Sequence, residues 1–182
     1  VPINEIDKKK LIEREADYFI PASESKYNVT LTIKNNVIIP TAGIDESNAN
    51  GVYVLWPKKV QETANRVHRY LTQRFNLKSV GVIITDSKTT PLRWGTTGIA
   101  LAHCGFQALN NYIGKPDLFG RKMKITKSNI RDGLAAATVV VMGEGDEQTP
   151  LAIIEEIDFC KFQEHPPTRE ELANFNIELE ND

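Results

Sequence analysis

At 182 residues with 41% hydrophobic content, the chain suits one sizeable domain with a proper core, or two small intertwined ones. Its 22 basic and 24 acidic residues nearly cancel, which removes any electrostatic case for nucleic acid or an anionic membrane surface. Two cysteines, Cys104 and Cys160, match no metal spacing and are too few for a disulfide framework, and no apolar run approaches spanning length.

No signal peptide is read at the start, so the expectation is a reduced, cytoplasmic protein. The chain opens at Val1-Pro2 without a methionine, as a fragment or a processed product would. Residues 5–17 set Leu11, Ile12 and Ala16 among mixed charges and predict a helix, closed by Pro21. Val29, Leu31 and Ile33 alternate with Thr30 and Thr32, the period of a strand with one buried apolar face. Asn35-Asn36 tolerates positive φ and predicts a hairpin turn into a second short strand, Val37-Ile38-Ile39. Pro40 ends that run, Gly43 lets the backbone turn, and Asp45, Glu46, Ser47 and Asn48 come next. Such oxygen and amide groups suit hard cations and phosphates; the plainer reading is a solvated acidic loop in which Ser47 or Asn48 caps the next element.

Residues 51–56 read as another strand, and Pro57 as the first residue of a helix. Val60, Ala64, Val67, Leu71 and Phe75 form the apolar stripe of that helix, with His68 a surface or boundary residue beside it. Residues 80–84 make an apolar run of strand length, buried on both faces and ending in Thr85-Asp86-Ser87. An aspartate at the end of a strand presents a metal ligand on a rigid support, although strand-end aspartates also cap helices. Arg93-Trp94-Gly95 is a cationic turn, where Arg93 either clamps a phosphate or carboxylate or ends in a surface salt bridge. Ile99, Leu101 and His103 alternate with Ala100, Ala102 and Cys104, which favours a strand and a buried Cys104 over a thiol nucleophile.

Residues 117–121 read as a turn and 122–126 as an edge strand. Ser128 is the expected N-cap of a helix through Ile130, Leu134, Ala135 and Ala136, running into the β-branched stretch 138–141. Met142, Gly143, Glu144, Gly145, Asp146, Glu147, Gln148 and Thr149 form a third oxygen-rich loop, without the lysine of a P-loop. An acidic loop of this kind takes a nucleotide only together with a metal. Residues 151–154 predict a last core strand, Thr168 and Glu171 a capping box, and 178–182 a frayed acidic end. A shift in composition after Asp158 divides the chain into a domain at 1–158 and a tail with a short helix at 159–182.

Three loops thus share one pattern: an apolar element, a glycine or threonine, then carboxylates. On four ordered motifs, at 43–48, 80–87, 117–121 and 141–143, the chain resembles the coenzyme F-420-0:L-glutamate ligases, or gamma-glutamyl ligases. Their residues here are Gly43-Ile44-Asp45-Glu46-Ser47-Asn48, Val80-Gly81-Val82-Ile83-Ile84-Thr85-Asp86-Ser87, Asp117-Leu118-Phe119-Gly120-Arg121 and Val141-Met142-Gly143. The resemblance implies an α+β fold, mixed sheets with flanking helices, built into an intertwined homodimer. The apolar alternations at Val52, Val54 and at Ile99, Leu101 would add strand faces for that dimer. It also implies a GTP-dependent ligase that joins L-glutamate to a carboxylate acceptor, F-420-0-like or folate-like, through an acyl phosphate. Two divalent cations, Mg2+ or Mn2+, would take part, with room for K+.

By motif, Asp45 and Asp86 resemble the ligands of one cation, and Ser87 and Glu144 contributors to a second. Asn48 and residues 142–149 resemble the nucleotide contacts, and Asp45, Asp86 and Arg93 would carry the chemistry. Glu144 stands where the family often has Gln, and Arg93-Trp94-Gly95 replaces a loop richer in glycine and arginine. Family members carry a further N-terminal segment holding part of the nucleotide site, and this chain begins after it. The expectation is a fragment, or a protein that has lost or rebuilt that half. The alternative class is a non-catalytic metal- or nucleotide-binding module that keeps the scaffold.

Overall fold

The carboxylate of Asp7 accepts the Lys10 N–H at 3.2 Å and caps the first helix, α1 (Lys8–Glu15), which is shorter than the expected 5–17. Its Leu11 and Ile12 are buried against Ala42, Ile44 and Tyr53. The structure, a computed structural model, describes residues 1–90 and 92–175.

Three short strands, β1 (Tyr18–Ile20), β2 (Leu31–Lys34) and β3 (Val37–Pro40), form an antiparallel sheet. Asn35 and Asn36, both at positive φ, make the expected two-residue turn between β2 and β3. The burial of β2 reverses the expectation: Thr32 and Lys34 are buried, while Leu31 is exposed. The Thr32 hydroxyl donates to the Ile39 carbonyl and accepts the Ala42 N–H at 2.8 Å, so the polar face finds its partners inside. The register sets Tyr18, Ile20, Leu31 and Ile38 together on the opposite face, all of them exposed.

Thr41, Ala42 and Gly43 then turn the chain with three successive positive φ angles. Residues 51–56 do not form the expected strand. Val54 makes a single bridge to Asp45, with N–H···O distances of 2.9 and 3.0 Å, and Val52 another to Pro2. The ladder stops because the chain leaves Asp45 at once for a tight turn. Helix α2 (Val60–Phe75) begins three residues after Pro57, and its buried positions are Ala64 and His68 rather than Val67 and Phe75, which are exposed. His68 is therefore a core residue. Gly105 makes room for it: a Cβ there would sit 2.4 Å from the His68 Nε2.

The centre of the fold is a long antiparallel hairpin, β4 (Val82–Thr89) and β5 (Thr96–Cys104). Its pairing shifts between Ile84 and Thr85, opposite Ala102 and Ala100, so Leu101 is a bulged residue. The bulge changes which residues of β5 share a face. Ala102 and Cys104 pack with Ile84 against Val60 and Ala64 of α2, whereas Gly98 meets the backbone of the next helix. β4 is half-buried along its whole length rather than buried on both faces, and it runs on to Thr89, so Asp86 lies within the strand opposite Ile99. Ile99 is buried and offers no face for self-association. Burial, and after it the charge of Arg131, pulls the His103 pKa down to about 4, so the ring stays neutral at pH 7.

Strands β6 (Leu109–Asn111) and β7 (Lys127–Asn129) pair beyond this hairpin. The intervening turn at 117–121 forms as expected, its Asp117 Oδ1 accepting the N–H groups of Phe119 and Arg121 at 2.9 Å. Residues 122–126 are not a strand apart from one bridge between Pro116 and Lys122; pairing resumes at Lys127. Helix α3 (Ile130–Met142) is capped by Asn129, not Ser128, through a 3.0 Å bond from the Asp132 N–H. It runs through the β-branched stretch because packing against β5 outweighs the weak local propensity. Residues 151–154 form no strand, and Leu151 and Ile153 are exposed. Cys160 joins Phe106 and Leu134 in a small core cluster.

Thr168 and Glu171 form the expected capping box at α4 (Arg169–Phe175), with N–H bonds of 2.7 and 3.1 Å. The acidic end at 178–182 lies outside the described residues. The fold is α+β, with small antiparallel sheets and flanking helices. Among the described residues, no helix is long and apolar enough to cross a membrane.

Candidate active site

Asp45 leaves the positive-φ turn and at once folds its own loop around itself. Its Oδ1 accepts the Glu46 N–H at 2.6 Å, the Ser47 N–H at 2.9 Å and the Ser47 hydroxyl at 2.8 Å. Partial burial pushes its pKa up, but those three donors and the charge of Lys8 outweigh it and hold the carboxyl below its usual range. Asp45 is thus anionic at neutral pH, with Oδ2 left outside these bonds.

Asp86 arrives from β4, held at both oxygens: Trp56 Nε1–H donates to Oδ2 and the Ser87 N–H to Oδ1 at 2.8 Å. Its pKa is raised. Burial is the largest cause; the Trp56 and Ser87 bonds oppose it, and the charges of Asp45 and Glu144 add to it. Three carboxylates from separate stretches of chain therefore feel one another. A cation among them would relieve that repulsion.

The third comes from the loop after α3. Glu144 accepts the Ser87 hydroxyl at 3.0 Å, and Asn48 Nδ2–H donates to the Gly145 carbonyl at 2.9 Å, tying the Asp45 loop to this one. Gly143 sits at φ +81°, a conformation that L side chains rarely adopt, and a Cβ there would also have to displace the exposed Glu147 carboxylate. Glu147 itself accepts the Gly145 N–H at 2.8 Å, and the Thr149 hydroxyl closes the loop on the Met142 carbonyl at 2.6 Å.

Between these segments lies an open cleft of about 440 Å³. It gathers Asp45, Asn48, Asp86, Ser87, Met142, Gly143, Glu144 and Gly145 of the residues expected from sequence. Glu147, Gln148 and Thr149 line a shallower neighbour of about 380 Å³, and Asp146 lines neither. Arg93 stands apart on the exposed turn between β4 and β5. The cation among the described cleft residues is Lys88, which sequence reasoning missed. The signal was available: Lys88 is two residues from Asp86, hence on the same side of a strand, once β4 is seen to continue.

Among the described residues, no three His, Cys, Asp or Glu side chains converge closely enough to hold a metal by themselves. The donor set nonetheless fits a hydrated divalent cation. Such ions as Mg2+ keep several waters and take one or two carboxylates, with substrate phosphate completing the shell. Asp45 and Asp86, with Ser87 and Glu144 beside them, offer ligands of that kind.

A family model described as F420-0:Gamma-glutamyl ligase matches residues 7–156. The chain is similar to the Coenzyme F420:L-glutamate ligase of Methanocaldococcus jannaschii, with 42% identity over 122 residues, or 66% of this chain and 48% of that protein. The protein of the same name from Methanopyrus kandleri is 35% identical over 145 residues, 79% of this chain and 56% of the relative. That from Halobacterium salinarum is 37% identical over 119 residues, 65% of this chain and 45% of the relative. The chain spans about half the length of these curated relatives.

Proposed function

This chain belongs to the F420-0:gamma-glutamyl ligase family, and from that premise we propose that it contributes the metal- and phosphate-facing site of a GTP-dependent ligase. Its reaction would join the amine of L-glutamate to the carboxylate of an F-420-0-like or folate-like acid. The observation that carries the reading is the convergence of Asp45, Asp86 and Glu144 on one cleft, together with the bond from Asn48 across it.

Carboxylates and amines do not condense in water, so the acid is first activated. An acceptor oxygen attacks the γ-phosphorus of GTP, the bond to the β-phosphate oxygen breaks, and GDP leaves an acyl phosphate. The glutamate amine then attacks the acyl carbon and displaces inorganic phosphate, losing its proton to water as the amide forms. Divalent cations, Mg2+ or Mn2+, would neutralise charge on the phosphate oxygens in the first step. Asp45 and Asp86 would hold one, and Ser87 with Glu144 would contribute to a second. Asn48 and residues 142–149 would hold the nucleotide. Lys88, which lines the cleft where Arg93 does not, would face the transferring phosphoryl group.

The test is phosphate release by the full-length protein from GTP, compared with ATP, in the presence of L-glutamate and a panel of acceptor acids. Release that requires both glutamate and an acceptor is the expected result. Binding of GTP and Mn2+ without release for any acceptor would identify a non-catalytic binding module instead.

We also propose that the protein self-associates as a homodimer. The support is the exposed sheet face of Tyr18, Ile20, Leu31 and Ile38, together with exposed Val140 and Val141 on α3. Sedimentation at micromolar concentration is expected to give a dimer, and a monomer throughout would overturn this.

A further inference from the structure

Trp56 lies on neither the sheet nor a helix, and its side chain is half-buried beside the cleft. An indole N–H is a donor only and carries no charge, so it fixes a carboxylate without competing for a cation. Trp56 Nε1–H takes Oδ2 of Asp86 while the Ser87 N–H takes Oδ1, so the two bonds together set the plane of the carboxylate.

The indole is itself held. Lys34 is buried, its Nζ 5.4 Å from the centre of the Trp56 ring and 3.2 Å from Oε2 of Glu15. Gly43 gives the ring its space: a Cβ there would lie 2.4 Å from Nε1 and 2.6 Å from Cε2. Gly43 also belongs to the turn that delivers Asp45. One glycine thus serves both carboxylates, turning the chain for one and admitting the indole that grips the other.

We propose that Trp56, backed by Lys34, Glu15 and Gly43, is a positioning residue that orients the Asp86 carboxylate for a divalent cation in the cleft. This rests on the reading of Asp86 as a cation ligand. Groups that orient a metal-binding side chain change affinity by about 10–100-fold when removed. The bulk of the ring would be replaced by any aromatic residue, but its N–H would not.

Mn2+ alone is the probe, followed by electron paramagnetic resonance and by tryptophan fluorescence. Trp56→Phe keeps the ring and removes the donor. It is expected to weaken Mn2+ binding by about tenfold or more, while the melting temperature without metal shifts little. Unchanged Mn2+ affinity in Trp56→Phe would overturn the proposal. Trp56 and Trp94 are the two tryptophans of the chain, so Trp94→Phe leaves Trp56 as its sole indole and keeps the test open should Trp56→Phe fold poorly. In Trp94→Phe, saturable quenching by Mn2+ that disappears in the Asp86→Asn double variant is expected. Bound Mn2+ without quenching would overturn the contact. If Asp86→Asn binds Mn2+ as the wild type does, the cation reading itself fails and the proposal falls with it.

Discussion

If the proposed cation site is right, Asp86→Asn should abolish phosphate release by the full-length protein and remove the stabilisation that Mg2+ or Mn2+ would confer. A ligand present at a hundredfold excess over its dissociation constant stabilises the folded state by about 2.7 kcal/mol, and this increment should vanish. Turnover should fall by at least about 100-fold, because lost neutralisation is a matter of several kcal/mol and each 1.4 is tenfold. Without metal, two effects oppose each other. The neutral amide ends the repulsion from Asp45 and Glu144, but Asn has one acceptor oxygen where two donors, Trp56 Nε1–H and the Ser87 N–H, now compete. Each is on the order of 1 kcal/mol, so the metal-free melting temperature should move by only a few degrees. Melting curves with and without metal, run beside the release assay, check both parts. A variant that retains full turnover would show that this cleft is not where the chemistry occurs.

Gly98→Ala should destabilise the protein more than any surface change. A Cβ at this position would lie 2.3 Å from the Ala135 carbonyl oxygen and 2.6 Å from Cγ2 of Val139. The first of these is helix backbone, so relief requires moving α3 off the sheet. Overpacking of this kind costs about 1–3 kcal/mol, and a backbone obstacle belongs at the upper end. Gly133 in the same helix provides the contrast, since a Cβ there meets nothing within 4 Å. Gly133→Ala should stabilise by about 0.5–1 kcal/mol through helix propensity alone. Urea unfolding of the two variants reads the difference directly. Equal stabilities would show that α3 slides freely over β5 and that the close approach is not structural. Because α3 ends beside Gly143, its displacement should also separate Glu144 from Ser87 and so disturb the proposed cation site.

Much of the candidate site was legible because composition and spacing reveal short-range chemistry. The carboxylates of the Asp45 loop and the glycines and acids of 142–149 announced themselves within single windows. Asp86 was also found, but as a strand-end residue. Apolar character stops at Ile84, whereas pairing continues through the hydroxyl-rich run to Thr89 against Thr96 and Thr97. That shortened strand hid Lys88. β2 shows a different limit: alternation reveals two faces without saying which is covered. Thr32 and Lys34 lie inside because Ile39, Ala42, Glu15 and Trp56, remote in sequence or across a turn, supply their partners. His68 was misjudged for the same reason, since Gly105, far along the chain, makes its place. The run at 151–154 is the converse, apolar residues that no neighbouring strand takes up among the described residues.

Thr41 and Ala42 adopt a left-handed backbone that non-glycine residues enter at a cost of about 1 kcal/mol or more each. Full burial of Ala42 and its bond to Thr32 keep the kink shut. The consequence concerns the entropy of association. A floppy loop must be frozen when a charged ligand arrives, and about 1–2 kcal/mol per residue is lost in doing so. Here the kink and the bonds to Asp45 Oδ1 order the loop on folding, so a ligand of the proposed site would meet a finished surface. Whatever enters this cleft gives up its own freedom and its water, while the loop that receives Asp45's partner has little left to surrender.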